Sequence, residues 1–347
     1  VLLWKQPIGP WEEVLRPFRS GPVDLARRLV AVGDRVYVTP GYNKPIVVLD
    51  AASGAKLVTY HDTTGAVEFL VDRDRLIAVV EEPERSSYAQ NLRRGKPAAT
   101  RGNKSLVAID IRSNQLLWRK SDIATSNLLP STLCASGDRL FFHNPHELVC
   151  LDAVSGEADW QAPRPLHSVR YAWSTPTVLV HDVVVLSADS DADTRPAVTD
   201  KQAGIQWNIT AKSDKKGSVG ELIAYSAKDG RPMWRCPTAM GYNSPPDVFV
   251  AGGIVWPGAA PGRNTEDFTE GRDLLTGEVR REFKTEGLFS VAHHHRCYRN
   301  KATERFIILG RTGVELIDLE EGKLDRNCWV RGACQYGVMP ANGLLYT

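Results

Sequence analysis

The stretch Val107-Ala108-Ile109-Asp110-Ile111-Arg112-Ser113-Asn114-Gln115-Leu116-Leu117-Trp118 decides the fold. It is an apolar run, an Asp, three residues, a residue that tolerates positive φ, three more residues and a large aromatic anchor. The order recurs in Val149-Cys150-Leu151-Asp152 with Gly156 and Trp160, and in Val47-Val48-Leu49-Asp50 with Gly54. Leu222-Ile223-Ala224-Tyr225 follows with Ser226 in the Asp position, then Gly230 and Trp234. Weaker copies stand at Asp273/Gly277/Arg281 and at Leu316-Ile317-Asp318/Gly322/Arg326, and Trp4 fits the anchor position of a further copy. Each copy reads as a β-hairpin: a buried strand, a turn bonded by the Asp side chain with Gly at positive φ, and an anchored return strand.

Upstream of most copies another strand opens on a polar turn, as in Gly33-Asp34-Arg35-Val36-Tyr37-Val38 and Gly137-Asp138-Arg139-Leu140-Phe141-Phe142. Asp72-Arg73-Asp74-Arg75-Leu76-Ile77 and His181-Asp182-Val183-Val184-Val185 do the same. Strand, strand, turn, strand, repeated without amphipathic helices, describes four-stranded antiparallel blades. The expected fold is all-β: a seven-bladed β-propeller, or an eight-bladed one if flanking sequence adds a blade. The 347 residues divide into seven blades of about 50. Loop insertions are expected near residues 83–103 and 187–218. The chain reads as a single propeller domain over 1–347, cut from a longer protein, because a strand is under way at Val1 and another begins at Gly343. Leu344-Leu345-Tyr346 and Val1-Leu2-Leu3-Trp4 are expected to share a blade.

Composition narrows the function classes. Forty-three Lys+Arg against 41 Asp+Glu give a net charge of +2, which argues against nucleic acid as a partner. No apolar run approaches the roughly 20 residues that span a bilayer. No leader is legible at Val1, which leaves the compartment open.

The Asp-x3-Asn/Gly-x3-Trp blocks around Asp110, Asp152 and Gly230 resemble the pyrroloquinoline-quinone-type propeller repeat. That repeat occurs in quinoprotein alcohol dehydrogenases and in outer-membrane assembly lipoproteins. The block from His293 to Lys301 and from Trp329 to Gly337 is similar to large envelope proteins of planctomycete-like bacteria. The resemblance implies a propeller in an extracytoplasmic setting, the periplasm or cell envelope, and within a larger assembly. It implies no single activity, since propellers host unrelated functions.

A quinone dehydrogenase would carry a vicinal disulfide over its cofactor. The six cysteines, Cys134, Cys150, Cys236, Cys297, Cys328 and Cys334, include no adjacent pair, so the quinone is not expected here. The strongest chemical run is His293-His294-His295-Arg296-Cys297-Tyr298. In a strand His293 and His295 share a face and can hold a divalent metal or act as acid and base near neutral pH. Arg296 could neutralise a substrate carboxylate and Tyr298 transfer a proton. Tyr242, Asn243, Trp329, Arg331 and Tyr336 are the ligand-binding candidates, since aromatic and amide side chains in blade-entry segments suit an axial pocket. Cys297 is open to pairing with Cys328 or Cys334, and Cys150 reads as a free core residue. The expected function is a binding or scaffolding module for a protein or glycan ligand. The alternative is a carbohydrate-active enzyme of lyase type using His293, His295, Arg296 and Tyr298, with a quinone-dependent dehydrogenase behind both.

Overall fold

In a computed structural model, residues 3–7, 29–41, 43–82, 103–166, 176–190, 219–239, 246–258, 268–283, 298–310, 313–332 and 337–347 are described. They form six four-stranded antiparallel sheets and a final strand pair, each sheet built from consecutive strands. The first sheet comprises Leu29–Val32, Arg35–Val38, Ile46–Asp50 and Lys56–Tyr60. The second comprises Ala66–Asp72, Arg75–Glu81, Lys104–Asp110 and Gln115–Lys120. Cys134–Ser136, Arg139–His143, Glu147–Asp152 and Ala158–Pro163 make the third, and Thr177–His181, Val184–Ser190, Val219–Ser226 and Pro232–Ala239 the fourth. The fifth runs through Val248–Ala251, Ile254–Pro257, Glu270–Asp273 and Val279–Glu282. The sixth runs through Lys301–Ala302, Phe306–Leu309, Val314–Asp318 and Lys323–Asn327. Met339–Ala341 and Leu344–Tyr346 close the order. The fourth-sheet strand continues through Ser190, so the insertion expected from residue 187 starts beyond it.

By compactness the chain falls into two units, 1–18 with 24–165, and 19–23 with 166–347. In the first unit the sheets stack face to face through the two-residue period of a strand. Leu76, Ala78, Val80, Val107 and Ile109 of the second sheet pack with Tyr37, Ile46 and Val48 of the first. The alternate residues Ile77, Val79, Leu106 and Ala108 pack with Leu140, Phe142, Val149 and Leu151 of the third. A sheet buried on both faces needs unbroken apolar runs rather than alternation, which is why the central strands read Leu-Val-Ala-Ile and Leu-Val-Cys-Leu. The second unit repeats the scheme, Leu186, Leu222 and Ala224 against Val248 and Val255, then Trp256 and Phe268 against Ile307 and Ile317.

Each of the six copies that falls within a four-stranded sheet is a hairpin between its third and fourth strands. The Asp carboxylate accepts the two turn N–H groups that follow it: Asp152 from Val154 (2.9 Å) and Ser155 (2.7 Å), Asp110 from Arg112 (2.8 Å) and Ser113 (2.7 Å). Asp50, Asp273 and Asp318 do the same. In the fourth sheet, where Ser226 replaces Asp, Asp229 bonds the Ser226 hydroxyl and accepts from the Arg231 N–H. In five of the six sheets the register slips immediately before this turn, a bulge that coils the outer strand.

The anchor residues join one sheet to the next. The Trp118 indole lies over the turn glycine Gly156 (φ 77°) and its N–H donates to the carbonyl of Ala153 at 3.1 Å. Trp234 does this to Gly277 and Leu274, and Trp4 to Gly54 and Ala51. Where the anchor is not Trp, two residues divide its task. Phe283 covers Gly322 while the Arg281 guanidinium, expected as the anchor itself, donates to Leu319. Arg35 donates to Ile111 while the Tyr60 hydroxyl donates to the side chain of Asn114. Apart from the Tyr60 bond to Asn114, the acceptor is in each case the carbonyl directly after the motif Asp.

These turn carboxylates make acid stability testable. Asp318 accepts from the Arg305 guanidinium and from two backbone N–H groups, which hold its pKa down to about 2. A carboxyl depressed in the fold stabilises it above its unfolded pKa of about 4 and ceases to do so as pH falls through about 2. Asp318→Asn is expected to lower the melting temperature at pH 7 and to flatten its fall between those two values. A pH–melting profile unchanged by the substitution would contradict this.

Candidate functional site

The antiparallel order gives each four-stranded sheet two unlike ends. One end carries the tight hairpins between first and second and between third and fourth strands, tied together by backbone bonds. Examples are Ala51 N to Asp34 O (2.9 Å), Ala153 N to Asp138 O (2.8 Å) and Leu319 N to Arg305 O (2.8 Å). Arg75 also reaches Gly137 O and Asp138 there, and Arg112 pairs with Asp74. The opposite end carries the connections from second to third strands and from each sheet to the next. The sequence insertions, residues 83–102 and 191–218, both leave from this loop end.

Buried polar side chains gather at the loop ends of the strands. In the first unit the His143 backbone N–H donates to Thr132, the Asn144 carboxamide accepts from His146 and Glu147, and buried Ser105 accepts from the exposed Arg119, which also donates to the Asp62 carbonyl. In the second unit Thr177 donates to the Pro246 carbonyl. Buried Asp247 accepts from the Asn300 N–H at 3.3 Å, and the Asn300 side-chain oxygen accepts from Gly310 at 3.2 Å. Lys301 beside them is held below its ordinary pKa by burial and by the Arg299 charge, with Asp247 opposing. These bonds fix the strand ends from which the connections depart.

The residues singled out from the sequence fall in these connections or beside them. Tyr298 heads the sixth sheet and is 2% exposed. Its ring lies against Gly337, and its hydroxyl occupies the place where a side chain on Gly310 would begin. That makes it a packing residue of the sixth sheet, closed to bulk substrate in this conformation. Trp329 is the reverse, 96% exposed just past the last strand of that sheet, with its backbone N–H donating to the Asn327 side-chain oxygen at 3.1 Å. Arg331 is exposed nearby. The structure therefore does not bring Tyr298 and Trp329 to one surface. His293, His295, Arg296, Tyr242, Asn243 and Tyr336 lie outside the described residues. Among the described residues no group of three His, Cys, Asp or Glu side chains is placed to hold a metal ion, and no helix is long and apolar enough to cross a membrane.

Cys328 is a free, exposed thiol; Cys297 and Cys334, the other members of the expected pairings, lie outside the described residues. Cys150 is free and buried, with its thiol pushed up to about 12 by desolvation and the Asp159 charge. Burial pushes Cys236 up to about 11. Because the thiolate is the nucleophile, a maleimide is expected to modify Cys328 in the native protein and to reach Cys150 and Cys236 only after unfolding. Peptide mass spectra of native and denatured samples check this, and native labelling of Cys150 would contradict the packing.

The family model described as outer membrane protein assembly factor BamB matches residues 2–215. The crystal structure of BamB from Moraxella catarrhalis superposes with a TM-score of 0.52 at 13% identity, over 89% of this chain and 77% of that one. The computationally designed Ika8 protein gives a TM-score of 0.45 at 11% identity, over 96% of this chain and 94% of its own. No curated protein matches in sequence. The Moraxella likeness identifies the four-stranded sheets as propeller blades, in keeping with the repeat. The chain belongs to the family of the outer membrane protein assembly factor BamB.

Proposed function

We propose that this protein is an extracytoplasmic seven-bladed propeller that binds and holds other proteins in an envelope assembly, with the loop end of its sheets as the binding end. The observation that carries the reading is the inequality of the two ends. At the turn end the motif side chains are spent on structure: Asp on its own turn, Trp on the neighbouring sheet, Arg on the next sheet's turn. At the loop end buried polar side chains brace the strand ends, and the two sequence insertions leave from that end. Rigid sheets that carry irregular loops at one end are a general arrangement for recognition. Family membership supports a protein partner, since the BamB name is that of an assembly factor for outer membrane proteins. Of the binding candidates, Trp329 and Arg331 follow the last strand of the sixth sheet at that end, and an axial pocket to which Tyr242, Asn243 and Tyr336 would contribute is part of the same reading.

The test is chemical cross-linking in the source cell followed by purification of the tagged protein. The reading expects envelope proteins of defined identity in the eluate, their yield unaffected by Ser155→Arg at the turn end. A protein recovered alone from the envelope fraction, or recovered from the cytosol, would overturn it.

A further inference from the structure

The turn of the final strand pair differs chemically from its counterparts. In the first four sheets the left-handed position between first and second strands is held by Gly33, Arg73, Gly137 and Asp182, and in the fifth by Gly252 and Gly253. In the final pair it belongs to Asn342 (φ 52°), followed by Gly343 (φ 74°). Asn-Gly suits the two-residue turn of a hairpin. It is also the dipeptide in which a backbone nitrogen most easily attacks a side chain, because glycine has no Cβ to shield its own nitrogen. Asn342-Gly343 is the one Asn-Gly step in the 347 residues.

The structure leaves both reacting groups available. Asn342 and Gly343 are exposed, and a Cβ built on Gly343 would meet nothing within 4 Å. Among the described residues no hydrogen bond holds the Asn342 carboxamide or the Gly343 N–H. Asn114, also at positive φ (60°), is the contrast: its side chain accepts from the Tyr60 hydroxyl, and Gln115 follows it. Ring closure requires Asn342 to leave the left-handed turn, so the hairpin must open first. Opening is easy here. Met339–Ala341 and Leu344–Tyr346 are three residues each and form a two-stranded sheet, seated on the sixth sheet by Val338, which is buried with Ile308 and Val314. Two short strands are marginally stable, and such segments open far below the cost of global unfolding.

We propose that Asn342 is a site of spontaneous modification, converted through a cyclic imide to aspartate and to its β-linked isomer. The Gly343 nitrogen, its proton taken by hydroxide, attacks the Asn342 side-chain carbonyl carbon. The new C–N bond closes a five-membered ring, the bond to Nδ2 breaks, and ammonia leaves with a proton from water. Water then opens the ring at either carbonyl and leaves a carboxylate, with no change in oxidation state. Opening at the main-chain carbonyl routes the backbone through the side chain and adds one carbon to the turn. Hairpin register is set by turn length, so the pairings of Met339 with Tyr346 and of Ala341 with Leu344 are lost. The event is a one-way release of the final strand pair.

The test incubates the whole protein at pH 7 and pH 8 and follows the peptide that holds residue 342 by mass spectrometry, with an isoaspartyl methyltransferase to detect the β-linked product. Conversion at Asn342 is expected to outpace that at Asn43 and Asn114 at least tenfold, to rise with pH, and to yield the β-linked isomer. Hydrogen exchange over residues 339–346 should be faster in the converted fraction. Val338→Ala loosens the seat and is expected to speed conversion at least threefold, with circular dichroism confirming that the sheets persist. Asn342→Gly keeps a favourable turn and abolishes conversion. An Asn342 that stays intact in the native protein while the guanidinium-unfolded chain converts would overturn the proposal. So would aspartate formed without the β-linked isomer, or a rate indifferent to Val338→Ala.

Discussion

Trp118→Ala is expected to remove about 2–3 kcal/mol of stability, at or below the low end of buried aromatic truncations because the indole is partly buried, and to loosen the second sheet from the third. The side chain has two separable functions. Its ring covers Gly156, a glycine at positive φ (77°) with no Cβ to fill the space, and its N–H satisfies the Ala153 carbonyl. Truncation leaves a void over the turn and an acceptor that must find water. The complementary change is Gly156→Ala. An added Cβ would meet the indole at 2.8 Å, and a left-handed alanine adds of order 1 kcal/mol in strain. Urea melts of the two single variants and the double variant should show strong coupling: once the indole is gone, the alanine at position 156 no longer collides, and only its backbone strain persists. Additive losses would mean that the ring and the turn do not interact.

Gly310→Ala should be at least as damaging, for a different reason. Gly310 has no positive φ, so alanine suits its backbone, yet the Tyr298 hydroxyl and ring edge already occupy the position of the new methyl group. Tyr298 is enclosed and cannot swing into solvent without opening the head of the sixth sheet. It would also disturb the Gly310 N–H bond to Asn300. Overpacking of a closed site costs about 1–3 kcal/mol, and soluble yield should fall with it. Tyr298→Leu in the same chain clears the space and is expected to restore part of the loss. Gly310→Ala that melts like the native protein would show that Tyr298 is not seated as described.

The repeat was legible because a hairpin turn constrains its residues locally. Only Asp, or an Asp–Ser pair as at Asp229 and Ser226, bonds the turn N–H groups, and only Gly or Asn sits easily at the positive φ. The apolar runs were legible because sheets buried on both faces need them. The sharing of the anchor's task between Arg281 and Phe283, or between Arg35 and Tyr60, was not legible. It depends on which side chain of the neighbouring strand reaches one carbonyl, and no periodicity encodes that. The candidate site was legible only as positions in the chain. Residues in sheet-to-sheet connections have no partner strand to fix what they meet, so Tyr298 and Trp329 looked equally eligible although one is buried and the other bare.

In the proposed function partners are held at the loop end and the turn end is structural. The direct measurement places a photo-cross-linking amino acid at single exposed positions in the source cell. Ser53, Ser155 and Leu275 represent the turn end, and His146 and Val330 the loop end. Adducts to other envelope proteins from His146 or Val330, with none from the three turn positions, are the predicted result. Adducts that arise from the turn positions and not from the loop positions would contradict the claim.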